Sequence, residues 1–111
     1  MSMHHRAGRD LVPDVTAAAE LLRALADPGR LTILAHLFTG EHNVRELTEH
    51  LGLAQSTVSS HLASLKSCGL VTARQEGRSS MYAVAHPRRT RELLSSVGEL
   101  LSNIDKNGGA T

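Results

Sequence analysis

The 111-residue sequence predicts a mainly α domain with one β-hairpin, an α+β class in the order α1-α2-α3-α4-β1-β2-α5. Three observations predict it. Apolar residues recur at helical spacing in separate stretches along the chain, two of them joined by a very short spacer after Gly52. Two short alternating segments flank Glu76-Gly77-Arg78, as in a two-stranded hairpin with glycine at its turn. Aromatic residues are only 2% of the chain, with Phe38 and Tyr82 the sole Phe and Tyr, so the core must be Leu, Val and Ala, as suits helices packed on helices.

Residues 1–13 (MSMHHRAGRDLVP) carry no sustained period and are expected to form a flexible tail. Pro13 and Asp14 start a first helix with Val15, Ala18, Leu21, Leu22 and Leu25 as its stripe. Asp27-Pro28 marks the next boundary, with Asp as N-cap and Pro at the first helical position, where its missing N–H costs nothing. The second helix is predicted over Arg30 to Phe38, with Leu31, Ile33, Leu34 and Leu37 inside and Gly40 ending it. Asn43 caps the third, and Glu46 stands where it can reach back to the cap's own N–H. Val44, Leu47 and Leu51 share one face of it, and Gly52 offers the left-handed conformation that stops a helix.

After Leu53-Ala54-Gln55, either Gln55 or Ser56 opens a fourth helix with Val58, Leu62 and Leu65 inside, closed by Gly69. Leu70–Gln75 and Ser79–Ala85 are the two predicted strands. Pro87 opens the last helix, which carries Leu93, Leu94, Val97, Leu100, Leu101 and Ile104. Asn107-Gly108-Gly109 is expected to fray, which leaves a domain over 14–105 and a flexible tail over 106–111. Helix, helix, helix-turn-helix, hairpin, helix is the order of a winged helix-turn-helix with an extra helix at each end.

Composition narrows the function. The net charge is +1, so any surface for nucleic acid must be local, because affinity for a polyanion comes from charges near the phosphates. The single cysteine, Cys68, excludes an intramolecular disulfide and suits a reducing cytosol. No apolar run approaches the ~20 residues of a membrane span, and the N-terminus lacks the apolar core of a signal peptide. A cytoplasmic protein with no membrane partner is expected. No Gly-rich phosphate loop, no nucleophile with a plausible base and no paired carboxylates at useful spacing stand in the chain, so it does not read as an enzyme.

The fourth helix shows solvent Gln55, Ser56, Thr57, Ser59, Ser60, His61, Ser64 and Lys66, with almost no acid among them. A helix meant only for solvation usually carries Glu–Lys pairs. One that lies in a DNA major groove needs short donors and acceptors that let its backbone approach the bases and phosphates.

LLRALADPGRLTIL (21–34), STVSSHLASLKSCGLV (56–71) and EGRSSMYAV (76–84) together resemble the ArsR/SmtB family of bacterial metal-responsive winged-helix transcription regulators. The resemblance spans about residues 15–104, and it implies a homodimer built from the first and last helices on a palindromic operator in double-stranded DNA. On the family's pattern Gln55, Ser56, Thr57, Ser59, Ser60 and His61 face bases and phosphates, and Lys66 serves a phosphate. Arg74 and Arg78 flank the wing tip, within reach of the backbone or the neighbouring minor groove. An ordinary solvated helix and loop is the plainer reading of these residues, and His61 has the further option of a hydrogen bond within the fold. The dimer interface is expected at Leu21, Leu25, Leu94, Val97 and Leu101. The residues argue the same way, since one small core leaves the last helix with a surplus apolar face. The alternative is that this helix packs back on its own domain.

The resemblance also implies positions for metal ligands, and the chain departs from each. The family's cysteine motif falls on Asn43-Val44-Arg45-Glu46, and its two-cysteine variant on Ser64 and Cys68. The last-helix site falls on His86, Arg88, Glu99 and Ser102, of which His86 and Glu99 can bind metal. At the N-terminus, His4 and His5 stand beside the α-amino group; with Met1 removed, Ser2-Met3-His4 suits square-planar Ni(II) or Cu(II). An incidentally His-rich tail is the alternative. His36, His42 and His50 read as structural or surface residues on different helices, and Cys68 as a small buried side chain. The sequence therefore points to a homodimeric, sequence-specific DNA-binding transcription regulator, with a transition metal such as nickel or zinc as its signal. The alternative is a winged-helix interaction protein that acts through a regulatory partner protein and has weak DNA affinity of its own.

Overall fold

The computed structural model describes residues 11–109, with side chains to Asp105. Five helices and one hairpin follow in the expected order: α1 Val15–Leu25, α2 Pro28–Leu37, α3 Val44–Leu51, α4 Gln55–Ser67, β1 Val71–Glu76, β2 Ser79–Val84 and α5 Pro87–Gly109. Apart from residues 11–13, the N-terminal tail lies outside the described residues. At the other end α5 continues through Asn107-Gly108-Gly109 instead of fraying before them.

Each boundary has a local cause. The Asp14 carboxylate accepts from the Ala17 N–H, and Asp27 accepts from the Arg30 N–H with Pro28 at N1. Helix α2 thus begins two residues before the expected Arg30. The Arg30 guanidinium turns back instead, donating to the Ala24 and Arg23 carbonyls at 2.7 and 3.0 Å. These are last-turn carbonyls of α1, beyond the reach of the i→i−4 ladder; that of Arg23 also accepts from the Ala26 N–H at the C-cap, at 3.2 Å. One short segment therefore ends α1 and starts α2. Asn43 and Glu46 close a reciprocal capping box on α3, at 2.8 and 2.9 Å. Gly52 stops α3 with φ +67°, and after α4 the Leu70 N–H reaches back to the Leu65 carbonyl around a left-handed Gly69.

The core is Ile33, Leu34 and Leu37 of α2, Leu47 of α3, and Val58, Leu62 and Leu65 of α4, with Ala24, Leu70 and Val71 at its margin. Leu31, expected inside, is exposed, because α2 turns only its other apolar positions to α4. In the hairpin Glu76 pairs with Ser79, so the turn is Gly77-Arg78 alone. Only Gly77 has a positive φ, +61°, the pattern of a type II′ turn, whose twist matches that of the strands. A third pairing lies beyond any local pattern: His42 and Tyr82 exchange both backbone hydrogen bonds, at 3.1 and 2.8 Å, and so fasten the α2–α3 loop to β2. No helix among the described residues is long and apolar enough to cross a membrane.

Candidate functional site

Helix α4 is held from behind by Val58, Leu62 and Leu65, which are fully buried. That fixes what its front presents. Gln55, Ser56, Ser59, Ser60 and Lys66 are exposed and Thr57 is half-buried. At 100° per residue Gln55, Ser59 and Lys66 fall within about 40° of one another, one strip along the helix. The N-terminus of α4 has Ala54 as its cap and no side chain bonded to it. The first-turn N–H groups therefore point outward without a partner from a capping side chain, the geometry in which a helix end accepts a phosphate.

Beside that end runs a cleft lined by Asn43, Arg45, Gln55, Arg78, Ser79 and Ser80. It brings the first turn of α3, the start of α4 and the wing tip together. Arg78, second residue of the hairpin turn, is exposed and in no ion pair among the described residues. Arg45 touches Glu49 only loosely, at 3.9 Å, with its side chain 85% exposed. Arg45 has no signal of its own in the sequence, where that stretch reads as a helix cap and as the position of the family's metal-binding cysteines.

Two expected contacts point elsewhere. Arg74 makes a bidentate bond to Glu41, at 2.7 and 2.8 Å, and a third bond to Glu76. Its hydrogen bonds hold the Glu41 carboxyl below the usual range, outweighing partial burial. Arg74 thus braces β1 against the α2–α3 loop. His61 turns inward: its Nε2 lies 3.5 Å from Asp27 and its side chain is 17% exposed. It lies over Gly29, where an added Cβ would come within 2.6 Å of that nitrogen. The bond from the Arg30 N–H, with the charges of Arg30 and His61, lowers the Asp27 pKa.

Of the expected metal ligands, His86 and Glu99 do not converge within one protomer. His4 and His5 lie outside the described residues. His86 immediately precedes α5 and Glu99 stands on it, about 20 Å further along the axis at 1.5 Å per residue. The histidines read as scattered do converge. His36 in the last turn of α2, His42 in the following loop and His50 in the last turn of α3 place their ligand nitrogens within 4.8 Å of one another. His42 is not on a helix at all. Partial burial, then the neighbouring His42 and His50, lower the His36 pKa and favour its neutral ring. No sequence rule for ligand pairs in a single element would find three residues on three elements.

Outside the core, Val15 and Leu22 of α1 and Val97, Leu100, Leu101 and Ile104 of α5 are between 46% and 70% exposed. Leu21, Leu25 and Leu94 are half-buried against the core. Cys68 is also half-buried, and its thiol faces the Leu65 carbonyl at 3.4 Å.

The family model for bacterial regulatory proteins of the ArsR family matches residues 27–73, which hold α2, α3, α4 and the start of the wing. The probable mercury resistance operon repressor of Streptomyces lividans is 46% identical over 76 residues, 68% of this chain and 59% of that protein. The chain therefore spans less than two thirds of that relative. The HTH-type transcriptional regulator CmtR of Mycobacterium tuberculosis is 48% identical over 89 residues, 80% of this chain and 72% of CmtR. A homodimeric winged helix-turn-helix DNA-binding domain from Mycobacterium bovis superposes with a TM-score of 0.69 at 33% identity, covering 81% of this chain and 82% of the other. A helix-turn-helix and wing of this form, together with likeness over so much of the chain, make it a member of the ArsR family of bacterial regulatory proteins, transcription regulators built on a winged helix-turn-helix.

Proposed function

We propose that the chain acts in the cytoplasm as a homodimeric, sequence-specific DNA-binding regulator whose signal is a transition-metal ion. The observation that carries it is the front of α4. A strip of short hydrogen-bonding side chains leads to an uncapped helix end, and that end faces a cleft flanked by Arg45 and Arg78. On this reading Gln55 reads adenine bidentately, Ser56, Ser59 and Ser60 contact several bases, and Lys66, Arg45 and Arg78 hold phosphates. The exposed stripe of α5, with Val15 and Leu22 of α1 also uncovered, supplies the dimer surface. Its two-fold symmetry would set two α4 helices in successive major grooves about 34 Å apart.

A metal signal is supported by the relatives' names, among them repressors of mercury and arsenical resistance operons. With one cysteine per chain, a thiolate cage cannot form within a subunit, so the ligands are nitrogen and oxygen. Of the ligands drawn from sequence, His86 of one protomer could meet Glu99 only across the dimer, and His4 and His5 would form a separate site. The test is fluorescence anisotropy against the chain's own promoter region and a scrambled duplex, at stated salt. Ser59→Ala and Gln55→Ala should bring the two affinities together. Equal affinity of the unmodified chain for both duplexes would overturn the reading.

A further inference from the structure

We propose that His36, His42 and His50 form a site for a divalent transition-metal ion of the zinc type, which joins α2, the α2–α3 loop and α3 beside the root of the wing. Three independent features of the cluster carry this. The first is convergence. His36 Nε2 lies 2.9 Å from His50 Nδ1, and the three ring centroids form a triangle of 4.7, 5.1 and 5.2 Å. Zinc holds imidazole nitrogens at about 2.0–2.1 Å in a tetrahedron, which sets neighbouring ligand atoms about 3.3 Å apart. The separations present, from 2.9 Å up to 4.8 Å, bracket that value, so small side-chain rotations suffice.

The second is orientation. His42 Nδ1 lies 2.7 Å from the Gly40 carbonyl. A carbonyl only accepts, so Nδ1 carries the proton and Nε2 keeps its lone pair. Fixing the far nitrogen on a carbonyl is how proteins orient a ligating histidine. The third is the donor set. Three imidazoles with an exposed member, His50, leave a fourth position for water, an arrangement that suits zinc, nickel or cobalt and offers nothing to a thiophilic ion.

The cluster is joined to the DNA-binding parts. His42 exchanges both backbone hydrogen bonds with Tyr82 of β2, and the adjoining Glu41 holds Arg74 of β1. An ion drawing the three rings together fixes the loop that anchors both wing strands, and so biases where Arg78 stands relative to α4. This coupling rests on the operator-binding reading above; the metal site itself does not.

Zinc is titrated into the full chain in competition with a chromogenic chelator, with folding checked by circular dichroism. One ion per protomer is expected at this site. His50→Ala, an exposed position, and His42→Ala should each weaken binding at least tenfold, while His86→Ala and removal of residues 1–6 leave this site's affinity unchanged. If the unmodified chain binds no zinc above background, or if His50→Ala and His42→Ala bind as tightly as it does, the site is overturned. Anisotropy on promoter DNA is then read with and without zinc. A shift in affinity that vanishes in His50→Ala supports the coupling, and no shift in a chain that binds both DNA and zinc overturns it. Zinc binding without specific DNA binding overturns the operator reading and leaves the site standing.

Discussion

Asp27 ends one helix's neighbourhood and begins another, and only half of its work could be read in advance. The pair Asp27-Pro28 announces an N-cap, because a carboxylate before a proline at N1 satisfies a free N–H and costs none. That the same carboxylate faces His61 from α4 depends on how α2 and α4 cross, which no local pattern encodes. Its pKa is lowered by the Arg30 N–H first and by the Arg30 and His61 charges after it. A depressed carboxyl contributes stability in full above its unfolded value and loses it as pH falls through the folded one. The loss should therefore appear below about pH 4. Asp27→Asn keeps a cap, so urea melts at pH 5 and pH 3 should differ less for it than for the unmodified chain. Gly29→Ala tests the other side of the contact. Its Cβ would come within 2.6 Å of His61 Nε2, and a cost of about 1–3 kcal/mol is expected from urea unfolding as the ring is forced aside. At the wing tip, Arg78→Ala should weaken specific and scrambled duplexes alike and lower the salt slope by about one, since a phosphate contact carries no sequence information.

Among the elements, the helices and hairpin were legible because their signals are local: caps, breakers and the two periodicities. The strand limits moved by a residue, from Leu70–Gln75 to Val71–Glu76, because Leu70 is claimed by the turn that closes α4. The loop between α2 and α3 was not legible. Thr39 to Asn43 has no period, yet it is tied to the wing twice, through His42 with Tyr82 and through Glu41 with Arg74. Both partners lie more than thirty residues away, and one-dimensional pattern says nothing of such pairings. The histidine cluster was hidden for another reason: its members lie within fourteen residues of one another but one to an element, so no single period links them. If Arg74 braces the wing, Arg74→Ala should speed hydrogen exchange at the His42 and Tyr82 amides while leaving those of Leu62 and Leu65 protected. Unchanged exchange at all four would show that the ion pair is only a surface contact.

For the whole molecule, the sequence predicted an apolar surplus on the last helix, and the protomer leaves it uncovered. α5, 23 residues long, carries Val97, Leu100, Leu101 and Ile104 at 46–58% exposure. Leu94 belongs partly to the protomer's own core, so Leu94→Glu would confuse unfolding with dissociation. Val97→Glu and Leu101→Glu are the cleaner tests. Each should shift sedimentation at micromolar concentration from dimer to monomer, and a folded monomer of the unmodified chain would remove the interface. The stripe also bears on what a thermal melt of this chain would mean. If two copies must meet to cover those leucines, unfolding is dissociation as well. Each tenfold dilution then takes about 1.4 kcal/mol from every dimer, and the melting temperature falls with it. A regulator of this kind has no single stability. A cell holding few copies would keep it nearer to coming apart than a cell holding many, and scarcity alone would lower the fraction of time its DNA is covered.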